Sequence, residues 1–406
     1  MSADAFVPDP IMRSPFVRFT SRSVVRLALI GVLAISTSSL VAANEPRTLR
    51  EAAGDMFLIG CPVGSKDLNN PELLAKILQE FNCITVETEI MPFKMGADRE
   101  AFAFEPADRV VEWVEKQGLP MLGHMLVWDY RTPAWLFTDA ASKPLPREQG
   151  LENLRFYIHK VMTHFKGRFV AWNVVNEAIS DEPGEYLRDT AGRRSIGDDY
   201  VEKAFEFAHE ADPNVQLYYN DYNVILPDKR EKTLRLVRAL TSKGLRIDAI
   251  GLQGHWLIDR PPAYLIDEAV VAFAAEGLKV MITELDVDVL PRTVSGANMQ
   301  TVDHGPNPYP DGLPEEMQLR LADRYRDIFA RLVKHPAVVN ITFWGSHDGR
   351  SWLNNFPVRG RTNHALLFDR QLQNKPAHRA VLEVLEQARA QRQPSSMLQA
   401  ERALTQ

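Results

Sequence analysis

From residue 56 to residue 348, short and nearly continuous apolar runs alternate with longer stretches whose apolar residues recur at helical spacing. The runs are "MFLIGCPV" (56–63), "NCITVET" (82–88), "PMLGHMLVW" (120–128), "VAWNVVNEA" (170–178), "QLYYNDYN" (216–223), "IDAIGLQGH" (247–255), "VMITELDV" (280–287) and "VNITFWGSHD" (339–348). Between them lie segments such as "REQGLENLRFYIHKVMTHF" (147–165) and "PEEMQLRLADRYRDIFARLVKH" (314–335), with one apolar face each. Strands apolar on both faces and alternating with helices predict a parallel sheet covered by helices, an α/β fold. Eight such units predict a closed (β/α)₈ TIM barrel, with a doubly wound open sheet as the weaker alternative. No repeat or Gly-rich linker divides the region, so residues 44–390 read as one catalytic domain.

The ends of the chain break the pattern. Arg13, Arg18, Arg22 and Arg26 precede the apolar stretch "LALIGVLAI" (27–35), and Val41 and Ala43 suit a cleavage site. Residues 1–43 therefore read as an export signal, with an uncleaved anchor as the alternative, and the domain is expected outside the cytoplasm. Residues 391–406 are polar and predict a disordered tail.

Composition narrows the function classes. The 406 residues are 45% hydrophobic and 25% charged, ample for a large core. A net charge of −6 supplies no basic field for a nucleic acid backbone, which excludes that partner. The two cysteines, Cys61 and Cys83, read as buried small residues rather than as a bridge or a redox pair.

In a parallel barrel all the strand ends open on one face, and six of the eight runs end in functional side chains. "NEA" ends the fourth run with Glu177, and "ITELDV" ends the seventh with Glu284 and Asp286. Alternation puts Glu284 and Asp286 on one face and Leu285 on the other. The same rule pairs His124 with Trp128 in "GHMLVW" and Gln253 with His255 in "LQGH". Taken singly, a strand-end Glu or an isolated His is more often structural than catalytic. Two acids on separate strands of one barrel, beside two histidines, instead match the carboxylate pair of glycoside hydrolysis. No two histidines share a short ligand-like spacing at a strand end, so a metal hydrolase has no support, and no cofactor is expected.

These residues resemble glycoside hydrolase family 10, best known for endo-1,4-β-xylanases, from about residue 44 to residue 390. The resemblance is carried by "FNCITVETE", "GHMLVWDYRTPAWLF", "WNVVNEA", "LYYNDYN", "IDAIGLQGH", "ITELDV", "NPYPDGLPEEMQ", "TFWGSHDGRSWL" and "ALLFDRQLQNKPA". It implies a barrel that cleaves β-1,4 linkages of xylan with retention, Glu177 acting as acid/base and Glu284 as nucleophile. His255 matches the histidine on the nucleophile, Asp286 the acid that orients it, and Asn176 the amide on the sugar 2-hydroxyl. Glu87, His124, Trp128, Gln253, Trp344, Trp352 and Tyr222 match residues around the sugar subsites. The expected partner is the polysaccharide xylan, and the mature domain is expected to be a monomer with no membrane partner.

Departures from the family pattern cluster on one side. Thr88 and Met91 stand where the family has an Asn and a Lys that contact the sugar two positions before the cut, with Lys94 nearby. Asp129, Arg131 and Asn173 replace the usual His, Gln and Asp. The acid pair is untouched, so these changes bear on substrate preference, with another β-glycan or short oligosaccharides as the alternative. A noncatalytic carbohydrate-binding barrel is the rival from another class, opposed by the presence of both acids.

Overall fold

The computed structural model describes residues 48–292 and 302–404, with side chains through residue 392. The export signal expected at residues 1–43 lies outside the described residues. Eight parallel strands form a closed ring: β1 (Leu58–Val63), β2 (Cys83–Val86), β3 (Met121–Gly123), β4 (Ala171–Asn176), β5 (Gln216–Asp221), β6 (Ala249–Leu252), β7 (Lys279–Asp288) and β8 (Val338–Phe343). Pairing of β8 with β1, Leu58 opposite Asn340, closes the ring. Short segments Val127–Trp128 and His255–Leu257 extend β3 and β6 toward the same mouth, pairing with β4 and β7.

A helix follows each strand: Pro71–Glu80, Glu105–Lys116, Arg147–His164, Tyr200–Ala211, Pro227–Ser242, Tyr264–Ala275, Glu315–Leu332 and Pro376–Leu404. The local sequence sets their starts. Pro71 occupies the first turn, where its missing N–H is no loss, and the Asn70 side chain accepts from the Leu73 amide at 3.1 Å. The last helix runs to Leu404. Among the described residues no helix is long and apolar enough to cross a membrane.

Two apolar clusters result. The larger lies between strands and helices, and the smaller, Cys83, Leu122, Ala171, Tyr218, Ala249 and Met281, fills the barrel's interior. Cys61 belongs to the first and Cys83 to the second, so both remain buried free thiols. At the seam of chain ends, buried Glu80 accepts from the Leu49 amide at 3.0 Å, from Lys76 at 3.0 Å and lies 3.1 Å from His378 Nε2. One carboxylate thus ties the helix Leu49–Ala53 and the first and last barrel helices together.

Simple alternation fails at three places, one of them in β8 between Val338 and Asn340 and the other two beside the acids. Between Asn173 and Val175, β4 carries one residue more than its partner β5, and β7 carries one more than β8 between Ile282 and Leu285. These are bulges. In β4 the side chains of Asn173 and Asn176 both enter the barrel, while Val174 and Val175 pack outward. In β7 Thr283 and Glu284 both reach Asn220 inside, while Ile282 and Leu285 pack outward.

Candidate active site

Glu177 follows β4 directly, with φ at +58°, a left-handed conformation that an L residue with a side chain adopts only when its surroundings hold it there. Its N–H donates to the Asn220 carbonyl at 2.9 Å. Three side chains donate to its carboxyl: Gln253 at 2.8 Å and Asn176 at 3.2 Å to Oε1, and the Trp128 indole at 3.1 Å to Oε2. Burial pushes the Glu177 carboxyl above the usual carboxylate range, and Asp221 and Glu284 add to this against Arg188 and Gln253.

Glu284 is buried in β7, yet its shift runs the other way. Asn220 Nδ2 donates to its Oε1 at 2.7 Å, and His255 Nε2 lies 3.1 Å from Oε2. Burial favours the neutral acid, but His124, His255 and Asn220 outweigh it and hold Glu284 below the usual range. His255 and Asn220 are the two within hydrogen-bond reach of the carboxylate. His124 Nε2 is 3.8 Å from Glu284, and burial lowers the His124 pKa, so this ring is neutral at pH 7.

His255 is the strongly charged histidine. Burial opposes its protonation, but Asp286 and Glu284 on either side raise its pKa to about 10. Its Nδ1 is 3.1 Å from Asp286 Oδ1, an ion pair in which neither atom has hydrogen-bond alignment. The other oxygen of Asp286 accepts from the Trp352 indole, whose ring lies 4.8 Å from that of His255.

Two amides join the acids. Asn220 Nδ2, which donates to Glu284, also reaches Asn176 Oδ1 at 2.8 Å, and Asn176 Nδ2 donates to Glu177. Asn220 is fixed in turn by the Thr283 hydroxyl at 2.6 Å. A Cβ on Gly251 would stand 2.2 Å from Asn220 Oδ1, so only glycine leaves this amide its place.

The cleft continues past Glu284 between Pro62, Glu87, Trp344, Gly345, Ser346, Arg350 and Trp352. Trp344 meets His124 edge to face, with ring centroids 5.1 Å apart. Glu87 is pushed up to about 7 by burial, against the opposing charge of Arg350. Arg350 is held by buried Asp67 at 2.9 Å, with 40% of its side chain exposed.

Of the residues expected from sequence, Glu177, Glu284, Glu87, His124, Trp128, Asn176, Gln253, His255, Asp286, Trp344 and Trp352 converge on this mouth. Tyr222 stands one step away: its hydroxyl donates to Asp181 at 2.5 Å and accepts from Arg188, beneath the Lys229 ammonium. Asn220, Arg188 and Arg350 were not expected. Asn220 was visible as a polar residue ending the fifth run, whereas the two arginines lie in loops without periodicity. Lys94 stays exposed, so the cation lining the cleft is Arg350. Asp129 accepts from the Ala191 amide at 2.9 Å, and Arg131 lies over the Phe93 ring. Among the described residues no group of three or more His, Cys, Asp or Glu side chains could hold a metal ion.

Comparison with known proteins gives concordant matches. A sequence model of glycosyl hydrolase family 10 matches residues 48–384. Endo-1,4-beta-xylanase A of Xylanibacter ruminicola is 36% identical over 356 residues, covering 85% of this chain and 95% of the relative. Endo-1,4-beta-xylanase B of Paenibacillus barcinonensis is 37% identical over 334 residues, covering 82% and 96%. Among solved structures, an endoxylanase from a sugarcane soil metagenome superposes with a TM-score of 0.78 at 36% identity, covering 84% of this chain and 99% of that one.

Proposed function

The chain belongs to glycosyl hydrolase family 10, a glycosidase on a (β/α)₈ barrel, and from that premise we propose that it is a retaining endo-1,4-β-xylanase. The observation that carries this reading is the opposed tuning of two carboxyls linked by Asn176 and Asn220, Glu177 pushed toward the protonated form and Glu284 toward the ionised one. Groups driven apart in this way divide into acid and nucleophile.

In the first half-reaction Glu284 attacks the anomeric carbon, and Glu177 gives its proton to the departing glycosidic oxygen. Imidazolium His255 and Asn220 keep Glu284 ionised and aimed. In the second, water adds to the anomeric carbon and Glu177 takes its proton, returning Glu284 as a carboxylate. Asn176 lies between the acids, where a sugar 2-hydroxyl would be held. Trp344 and Trp352 offer faces to the apolar sides of pyranose rings. Arginine-rich residues 13–26 and the apolar stretch after them support export of the enzyme.

The test incubates wild type and Glu284→Ala with xylan, cellulose and mannan and counts new reducing ends. Release from xylan that disappears in the variant supports the proposal. Preference for another glycan would assign the departures at Thr88 and Met91 to substrate choice, and inactivity on all three would leave a carbohydrate-binding barrel.

A further inference from the structure

Arg188 lies in the loop after β4 with two corners engaged and one free. Its Nε donates to the Ile179 carbonyl at 3.1 Å, and Nη2 donates to Asp181 at 3.0 Å and to the Tyr222 hydroxyl. Lys229 braces that anchor, binding Asp181 at 3.0 Å and Asp221 at 2.8 Å. The remaining corner, Nη1, is buried without a hydrogen-bond partner and stands 3.7 Å from Oε2 of Glu177. An unmade hydrogen bond at a buried guanidinium is costly, so its position beside this carboxyl calls for a reason.

We propose that Arg188 is a positioning residue whose free Nη1 closes on Glu177 when Glu177 is ionised, favouring the second half of the reaction. The proposal rests on the reading of Glu177 as acid/base. During that half, a water oxygen bonds to the anomeric carbon, its proton passes to Glu177, and the ester bond breaks with its electron pair returning to Glu284. The step needs Glu177 as an anion amid other acids. Asp221 on β5 and Glu284 on β7 both face it, while Gln253, Trp128 and Asn176 are neutral donors. Arg188 is the cation within salt-bridge range of Glu177, and its other charged neighbours, Asp181 and Asp221, are shared with Lys229. A short closure from 3.7 Å would give a charge-assisted hydrogen bond in the ionised state alone.

The test compares wild type, Arg188→Met and Arg188→Lys on an activated aryl β-xylobioside. It reads the basic limb of kcat/KM against pH, and the covalently glycosylated fraction at steady state by intact mass. Loss of the cation should move the basic limb up by about one pH unit and raise the covalent fraction several-fold, with Lys restoring both in part. An unmoved basic limb in folded Arg188→Met, or a Lys variant no better than Met, overturns the proposal. If the Met variant does not fold, Arg188→Gln, which can still donate to Asp181, takes its place under the same criteria. Inactivity of wild type on xylan would instead defeat the hydrolase reading itself.

Discussion

The indole nitrogen of Trp352 donates a 2.7 Å hydrogen bond to Oδ2 of Asp286, whose other oxygen faces His255. The loop after β8 therefore holds the acid that faces a histidine on the β6 extension, which in turn touches Glu284 on β7. Trp352 has two roles, a ring face beside the cleft and an N–H that fixes the acid behind the histidine.

Asp286→Asn should remove the charge that keeps His255 protonated, so the His255 pKa falls from about 10 toward or below its ordinary value. Above that value Glu284 then loses its cationic neighbour and its own pKa rises. The expected result is a fall in kcat on the order of 10²-fold and an acidic limb displaced upward. An acidic limb that stays in place would contradict the relay.

Glu177→Gln should cost about 10²- to 10⁴-fold in kcat on xylan, since general acid catalysis supplies that order of acceleration. Stability should move the other way. A carboxyl whose folded pKa is raised favours the fold below its unfolded pKa, and that contribution is lost as pH rises through the folded pKa. Removing the group should therefore raise Tm by ~2 °C at pH 8 and less at pH 5, read by calorimetry.

Arg350→Ala should raise KM for long xylo-oligosaccharides by roughly ten-fold, with little change on an aryl monoxyloside that does not reach this part of the cleft. Arg350 also opposes the upward shift of Glu87, so the variant's KM should change with pH at a higher value than in wild type, where Glu87 titrates at about 7. Equal loss on both substrates would place Arg350 in the structural frame instead.

Glu80→Gln should destabilise the barrel by about 2 kcal/mol, because it leaves His378, Lys76 and the Leu49 amide without their shared anion. Burial works against ionised Glu80, but His378, Leu49 and Lys76 together lower its pKa. Its contribution is present above the unfolded carboxylate value and lost as pH falls through the folded one. Urea unfolding of both proteins at pH 7 and pH 3 should show the gap narrowing in acid.

Barrel and acids were legible in the sequence because each depends on a repeating signal, eight apolar runs and polar residues at their ends. Alternation also put Glu284 and Asp286 on one side, where His255 now lies between them. What alternation could not give is the doubled step at each bulge, outward in β4 and inward in β7. Asn173 and Asn176 violate period two, and so do Thr283 and Glu284. Arg188 and Arg350 stayed hidden for another reason: a loop side chain is placed by tertiary contacts, here Asp181 and Asp67.

The extra residue in β4 and in β7 doubles one face of the strand locally, like a stitch worked twice, and the pattern resumes after it. Deleting Val174 would restore the pleat with Asn173 inward, Val175 outward and Asn176 inward, so everything beyond the cut would keep its side. Deleting Ile282 would likewise leave Glu284 inward and Leu285 outward, but Thr283 would take the outward place and its hydroxyl would leave Asn220. A single codon lost from β7 should thus leave a protein that folds as a barrel while the amide steadying Glu284 loses its own support.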